Sequence, residues 1–577
     1  MAVRARMPFT ALAMGAMLGF AAWMAPSAAK AAEPAAPGCA WEVHRSDATR
    51  TIPAVSLSLA QGHSVRGAVP AGESRVFHLT LPAGHVAQGS FSGTGTVLDL
   101  QDDDKHVRRL AGAGSRSQPF MWVVSPEASQ LAVRNTGSEP GHFELELVRP
   151  LAPRQAAETH EAPEIPSPRL RALRDALHNG ADTESFWAHI REAGTPLVER
   201  VSDDEALVSF LWRGRPQNVR LFGSPTGNHD ALAQLEDSDV WWATFRMPTT
   251  ARLSYRLAPD VPQVQGTATE QRRAILATAR RDPFNPHVFP DTPDTLLDAH
   301  QGASVLTLPD APPQPWVRPR AESGQGTLAR TSFDSAILGN QRDIWLYRPA
   351  GAAPEALLIV FDAQQYLQQV SVPVIVDNLV ADGLIAPVAV VLVGNAGAAE
   401  RAAELPPNPL FTRFLNEELM PWVEKQGVAQ PPARTVIAGS SYGGLASAYA
   451  ALRSPQRFGN VLSLSGSYWW APSGERTGWM MREYASAPSS EPLRFYLDAG
   501  RYESARGARS MRGGILETNR HLADVLRAKG HHVTHVEHDT GHDYLHWQGS
   551  LGCGLVALLN PQRYRQGLAG CRQGGEP

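Results

Sequence analysis

Hydrophobic and polar positions change rhythm three times along this chain. Between about residues 56 and 148 they alternate with a period of two in short runs, "SRVFHLTL", "GTVLDLQD", "SQLAVRNT" and "HFELELV", separated by Gly, Pro, Ser and Asn. A period of two turns one face of each strand to a core and the other to water, so the region predicts a small β-sandwich over 45–150. "RPLAPRQAAETHEAPEIPSPRL" then reads as a Pro-rich linker over 151–178. Alternation resumes in "ALVSFLWRG", "QNVRLFG", "VWWATFRMP" and "ARLSYRLAP", predicting a second β-sandwich over 179–318 that closes with "LPDAPPQPWVRPR".

From 319 to 577 the alternation gives way to continuous apolar runs, "ALLIVFDA" and "PVAVVLVG", separated by helical stretches such as "NPLFTRFLNEELMPWVEKQ". Runs of this kind form strands buried on both faces, so this part predicts an α/β domain with a mostly parallel sheet and flanking helices.

Composition adds bounds to this layout. The chain has 577 residues, 43% of them hydrophobic and 19% charged, and 53 basic against 57 acidic side chains leave a net charge of -4. It is long enough for several cores, and the charge balance gives no whole-chain reason to expect a nucleic-acid partner. Arg4 and Arg6 precede the apolar run "FTALAMGAMLGFAAWM", and small residues follow with Ala-x-Ala options near Ala29 and Ala31. This predicts a signal peptide over 1–32, a mature start near Ala32, no stable membrane insertion after its removal, and a periplasmic or secreted protein. Of three cysteines, Cys553 and Cys571 are placed to staple the C-terminal tail, and Cys39 is read as a surface cysteine. The run Asp102, Asp103, Asp104 reads as a solvated turn.

The chemistry concentrates in "RTVIAGSSYGGLASAYAALRS", a strand running into a helix through Gly439-Ser440-Ser441-Tyr442-Gly443. Gly-x-Ser-x-Gly in that context is the nucleophile elbow of α/β-hydrolases, whose sharp bend needs small neighbours. Ser441 is the expected nucleophile; Ser440 occupies the x position. The backbone N–H of Tyr442, at the helix start, is one expected oxyanion donor, and that of Gln364, after the strand "LLIVF", is the second. Asp362, just before it, reads as a carboxylate that ties down this loop.

A serine nucleophile needs a base, and the base needs an orienting acid, in the order Ser, acid, His. His542, in the loop "GHD" between a strand-like "HVTHVEH" and the terminal helix, is the expected base, in preference to His535, His538 and His546. The strand in "LRFYLDAGRYES" ends near two candidate acids: Glu503, just past it, and Asp498, still inside it. Asp543, beside His542, reads as a loop-fixing residue. Ester hydrolysis by this route needs no metal or organic cofactor.

"VIAGSSYGGLASAYAALRSPQRFGNVLSLSGSYWW" resembles the enterochelin (ferric enterobactin) esterase family of the esterase D group. "GNQRDIWLYRP", "LLIVFDAQQY", "AERAAELPPNPLFTRFLNEELMPWV" and "GHDYLHW" extend the resemblance, and "VWWATFRMP" with "VLTLPDAPPQPW" is similar to that family's immunoglobulin-like N-terminal domain, so it covers about 180–560. The first sandwich resembles the pre-peptidase C-terminal type found beside secreted hydrolases. Two departures from the esterase pattern stand out: Ala363 replaces a usual Gly, and the chain adds a signal peptide and an extra sandwich.

The resemblance implies Ser441, His542 and Glu503 as the triad, and a small-molecule ester substrate, the trilactone of a catecholate siderophore. It also implies that Arg401 lies near the substrate; the alternative reading of that residue is a structural ion pair with nearby Glu404. A trianionic iron-catecholate with aromatic rims calls for cationic and aromatic partners, for which Arg401, Tyr468, Trp469, Trp470 and Trp547 are candidates. Two other readings stay open: an exported carbohydrate or feruloyl esterase of the same fold, and a non-catalytic ferric-siderophore-binding protein.

Overall fold

The computed structural model of the protein describes residues 52–57, 64–79, 81–102, 105–125, 130–151, 164–227, 229–264, 267–291, 302–488, 492–504 and 513–571. The expected signal peptide, its cleavage site, Cys39, Asp103 and Asp104, and residues 152–163 of the expected linker lie outside these.

The first unit is two sheets face to face. One has five strands, in the order 52–57, 74–79, 130–135, 96–102, 105–111, and the other has four, in the order 64–69, 141–151, 86–94, 114–123. Alternate residues such as Phe143, Leu145 and Leu147 point into the shared core, as the period of two requires.

The second unit also pairs two sheets, each of four strands, around Phe210, Trp212, Leu253, Tyr255 and Leu257. Two helices, Pro168–His178 and Glu184–Ala193, pack on it through Leu170, Leu173, Trp187 and Ile190. The end of the expected linker is therefore helical. Ser167 caps this helix by accepting from the Leu170 N–H at 3.1 Å, and Pro168 fills the first turn, so the prolines mark a helix start as well as a linker.

The third unit holds an eight-stranded sheet in the order 327–335, 340–348, 388–393, 356–361, 435–440, 460–464, 494–500, 532–538. The first two strands join antiparallel, and the other six run parallel. Strands Ala356–Phe361, Val388–Val393 and Thr435–Ser440 are buried at every position. Ile359, Phe361 and Ile437 feed one core, while Leu358, Val360 and Val436 feed another on the opposite face. This double burial is why their apolar runs are continuous. Cys553 and Cys571 form a disulfide.

Candidate active site

The elbow begins where the central strand Thr435–Ser440 meets the helix Tyr442–Arg453. Ser441 sits between them at φ 56° and ψ -118°, outside the regions that L-residues normally occupy. Its backbone is held there: its N–H donates to Leu464 O at 2.9 Å, and its carbonyl accepts from Ser467 N at 3.1 Å. A Cβ on Gly439 would stand 2.6 Å from the Gly443 carbonyl carbon, so the first glycine is a steric requirement. Gly443 itself has ordinary room, with its nearest neighbour at 3.6 Å; the second crowded position is Gly444, whose Cβ would meet Ser463 Oγ at 2.5 Å. Ser440 is buried at 1% exposure, which leaves Ser441 as the accessible hydroxyl of the pair.

His542 lies in the loop after strand His532–His538, and Glu503 lies in the short turn after strand Arg494–Gly500. His542 Nδ1 and Glu503 Oε1 are 2.5 Å apart. A carboxylate only accepts, so the neutral tautomer that fits this contact carries its proton on Nδ1 and leaves on Nε2 the lone pair a general base uses. The Glu503 carboxylate is 3% exposed, and its Oε2 accepts from Gly500 N at 2.6 Å and Ser465 Oγ at 2.8 Å. Asp498 is fully buried and engaged elsewhere, accepting from Ser465 N and from His546 Nε2, both at 3.0 Å. Burial works against its charge, yet His546 and His538 hold its carboxyl below the usual range.

Tyr442 is the first residue of the elbow helix, and Gln364 is the second of helix Ala363–Gln368. N–H groups in a first helical turn lack an intrahelical acceptor and can serve an oxyanion. Asp362 precedes Gln364 at φ 57° and is 1% exposed. It accepts from Arg401 twice, Nε at 2.6 Å and Nη2 at 2.8 Å, and from Asn395 Nδ2 at 2.7 Å. Burial acts to lower the Arg401 pKa, but the paired Asp362 carboxylate reverses the balance and raises it.

Several expected substrate contacts are corrected here. Arg401 has its guanidinium committed to Asp362, and Glu404, its expected alternative partner, pairs instead with buried Arg342 at 2.8 Å. Tyr468 is fully buried and donates to Ser463 Oγ at 2.7 Å. Trp547 is 3% exposed, donates to Ser465 Oγ at 3.0 Å and meets the His542 ring edge-on at 4.8 Å. Side chains that fill the core cannot also face a ligand. Trp469 and Trp470 are half-buried beside the elbow helix, with Trp469 6.2 Å from the Tyr442 ring and Trp470 5.9 Å from Trp479.

Sequence reasoning missed three supports of the site. Ser467 Oγ lies 3.2 Å from Ser441 Oγ. Ser465, at φ 49°, joins Asp498, Glu503 and Trp547 through one residue; the small-residue turn "LSLSGS" was its only signal. The third support comes from the second unit, which docks on the His542 loop. Ser254 N donates to Asp543 Oδ2 at 2.7 Å, Thr250 Oγ1 to Asp539 Oδ2 at 2.5 Å, and Arg252 N to Asp539 O at 3.1 Å. Asp543 also caps the terminal helix by accepting from Leu545 N at 3.0 Å, so its expected loop-fixing role extends across two domains.

Comparison with known proteins agrees with this layout. Residues 207–317 match the model described as "Enterochelin esterase, N-terminal", and residues 335–558 match "Putative esterase". The iron(III) enterobactin esterase of Escherichia coli is 29% identical over 66% of this chain and 97% of its own length. That of Dickeya dadantii is also 29% identical, over 66% of this chain and 93% of its own. Among solved structures, the ferric enterobactin esterase of Salmonella typhimurium superposes with a TM-score of 0.55 at 28% identity, covering 66% of this chain and 99% of that one. The enterochelin esterase of Shigella flexneri gives 0.52 at 29%, covering 66% and 98%. The two matched models follow one another along this chain and together cover more than half of it, and the chain belongs to the enterochelin esterase family.

Proposed function

We propose that this protein is a serine esterase that hydrolyses the ester bonds of a catecholate siderophore trilactone, releasing its iron, with Ser441 as nucleophile, His542 as general base and Glu503 as the orienting acid. The observation that most supports this is the pairing of His542 Nδ1 with the Glu503 carboxylate, in a sheet whose central strand also ends in a serine held at positive φ. In the proposed cycle Ser441 Oγ attacks the ester carbonyl while His542 Nε2 takes its proton. The oxyanion accepts from the N–H groups of Tyr442 and Gln364. Collapse expels the serine alcohol of the next unit, protonated by His542, and water then hydrolyses the acyl-enzyme by the same route. Trp469 and Trp470 offer the half-buried aromatic surface suited to catechol rings.

The relatives named iron(III) enterobactin esterase, and a Shigella flexneri structure solved in the presence of enterobactin at 29% identity, support this substrate class. The proposed location is the periplasm or the exterior. The expected leader at 1–32 supports it, and so does the Cys553–Cys571 disulfide, a bond favoured in oxidising compartments.

Chromatography of ferric enterobactin and of a feruloylated sugar after incubation with the enzyme tests the activity. Linear dihydroxybenzoyl-serine products are expected from the first, absent with Ser441→Ala. Cleavage of the sugar ester alone overturns the siderophore reading, and binding of the siderophore without products by the wild type overturns the enzymatic one.

A further inference from the structure

A cluster that this chemistry does not use lies directly behind the acid. Asp498, His538 and His546 bring one potential ligand atom each to within 4.8 Å of one another. His546 Nε2 is 3.0 Å from Asp498 Oδ2, and the His538 and His546 ring centres are 4.5 Å apart. The three residues come from different elements: Asp498 from strand Arg494–Gly500, His538 from the end of strand His532–His538, and His546 from helix Tyr544–Leu559. His538 stands opposite Gly500 in the strand register, two places along from the pair Asp498 and Val536.

The surroundings are those of a site rather than of a sealed ion pair. His538 and His546 line a partly open pocket of about 30 Å³, enough for one or two waters. Thr540 also lines it, 2% exposed, and its Oγ1 has no hydrogen-bond partner among the described residues. The far oxygen of Asp498 accepts from Ser465 N, the kind of outer contact that fixes a ligating carboxylate. Two cationic side chains lie near: Arg252 lines the cavity, and Arg501 pairs with Asp539 at 2.9 Å. The Asp539 carboxylate on the same wall offsets them.

We infer that Asp498, His538 and His546 form a binding site for one divalent transition-metal ion of the zinc class, which staples both ends of the loop carrying His542. Two imidazole nitrogens and one carboxylate oxygen, with a wet fourth position, are the donor set such an ion takes. Bonds of about 2.0–2.1 Å in a tetrahedron put ligand atoms roughly 3.3 Å apart. The widest separation here has to close by about 1.5 Å, which a turn of one imidazole achieves. Both histidines bind as neutral bases, and any proton they hold leaves to solvent. The consequence is positional: His538 and His546 flank residues 539–545, while Asp498 reaches Glu503 through Ser465, whose Oγ donates to Glu503. The ion would clamp the base and its acid from behind without touching substrate.

The test uses the tag-free mature chain, stripped with a chelator and titrated with zinc chloride. Bound zinc is read by elemental analysis after desalting, and the unfolding midpoint is followed in parallel. About one equivalent of zinc and a rise of several degrees in Tm are expected, since an ion bound only to the folded state stabilises it. His538→Gln and Asp498→Asn should lose both responses, while His532→Gln, on the exposed end of the same strand, keeps them; calcium chloride gives no shift. Less than about a tenth of an equivalent in the wild type overturns the inference. So does equal zinc retention in His538→Gln, or loss of zinc in His532→Gln. His538 is only partly buried, so that variant decides the question even if Asp498→Asn does not fold.

Discussion

Replacing Arg401 with alanine separates an oxyanion-loop support from a substrate contact. The change deletes two charged hydrogen bonds of 2.6 and 2.8 Å and leaves the Asp362 carboxylate, 1% exposed, with Asn395 as its remaining side-chain partner. Removing one member of a buried pair costs about 3–5 kcal/mol, because the remaining charge stays uncompensated away from water. The Arg401 side chain is 22% exposed, so water reaches the gap and the lower end, about 3 kcal/mol, applies. At roughly 2–4 °C per kcal/mol this lowers Tm by about 6–12 °C. Asp362 immediately precedes the helix that presents the Gln364 N–H, so turnover of a ferric siderophore and of 4-nitrophenyl acetate should fall by similar factors. The double variant Arg401→Ala, Asp362→Ala removes the stranded charge and should recover part of the stability. The assays are thermal unfolding and kcat/KM on both esters. A variant with unchanged Tm that loses activity only on the charged siderophore would refute this reasoning and return Arg401 to the substrate.

Further outcomes follow from the same contacts. Glu503→Gln should lower kcat by about 10²–10⁴-fold, because an amide N–H facing Nδ1 drives the His542 proton onto Nε2, where it blocks the base. Asp498→Asn should chiefly lower Tm; a larger kcat loss from Asp498→Asn than from Glu503→Gln, with both folded, reverses the assignment of the acid. Cys571→Ser opens a loop spanning 18 residues and should cost up to about 3 kcal/mol, read as a lower denaturant midpoint that reducing agent reproduces in the wild type. In the second unit, His229 accepts from Arg272 at 2.9 Å and stacks on Phe222, and burial followed by the Arg272 and Arg220 charges pushes its pKa down to about 4. The unfolded chain therefore binds this proton more readily. Stability is complete above about pH 6.5 and is lost as pH falls toward 4, and His229→Gln should flatten that slope in acid titrations of Tm.

Local patterns carried much of this protein. The period of two required half-buried sandwich strands, continuous apolar runs required a sheet covered on both faces, and Gly439 beside Ser441 required an elbow, because each follows from sterics and burial within a few residues. The positions of Ser441, His542 and Glu503 just past strand ends were legible for the same reason: strand ends can be read from sequence, and α/β sheets build their sites there. What the tertiary structure decided is where long side chains point and which charges meet. Nothing local distinguishes an outward Trp547 from one turned onto Ser465, or an Arg401 facing substrate from one spent on Asp362, 39 residues earlier in the chain. Which histidine each carboxylate meets, His542 for Glu503 and His546 for Asp498, was set by packing across the sheet, and the clamp on the His542 loop came from Thr250 and Ser254, 289 residues from their partners. Pairings at such separations are set by packing and by the need of each buried charge for a partner, and neither is written in the spacing of residues along one segment.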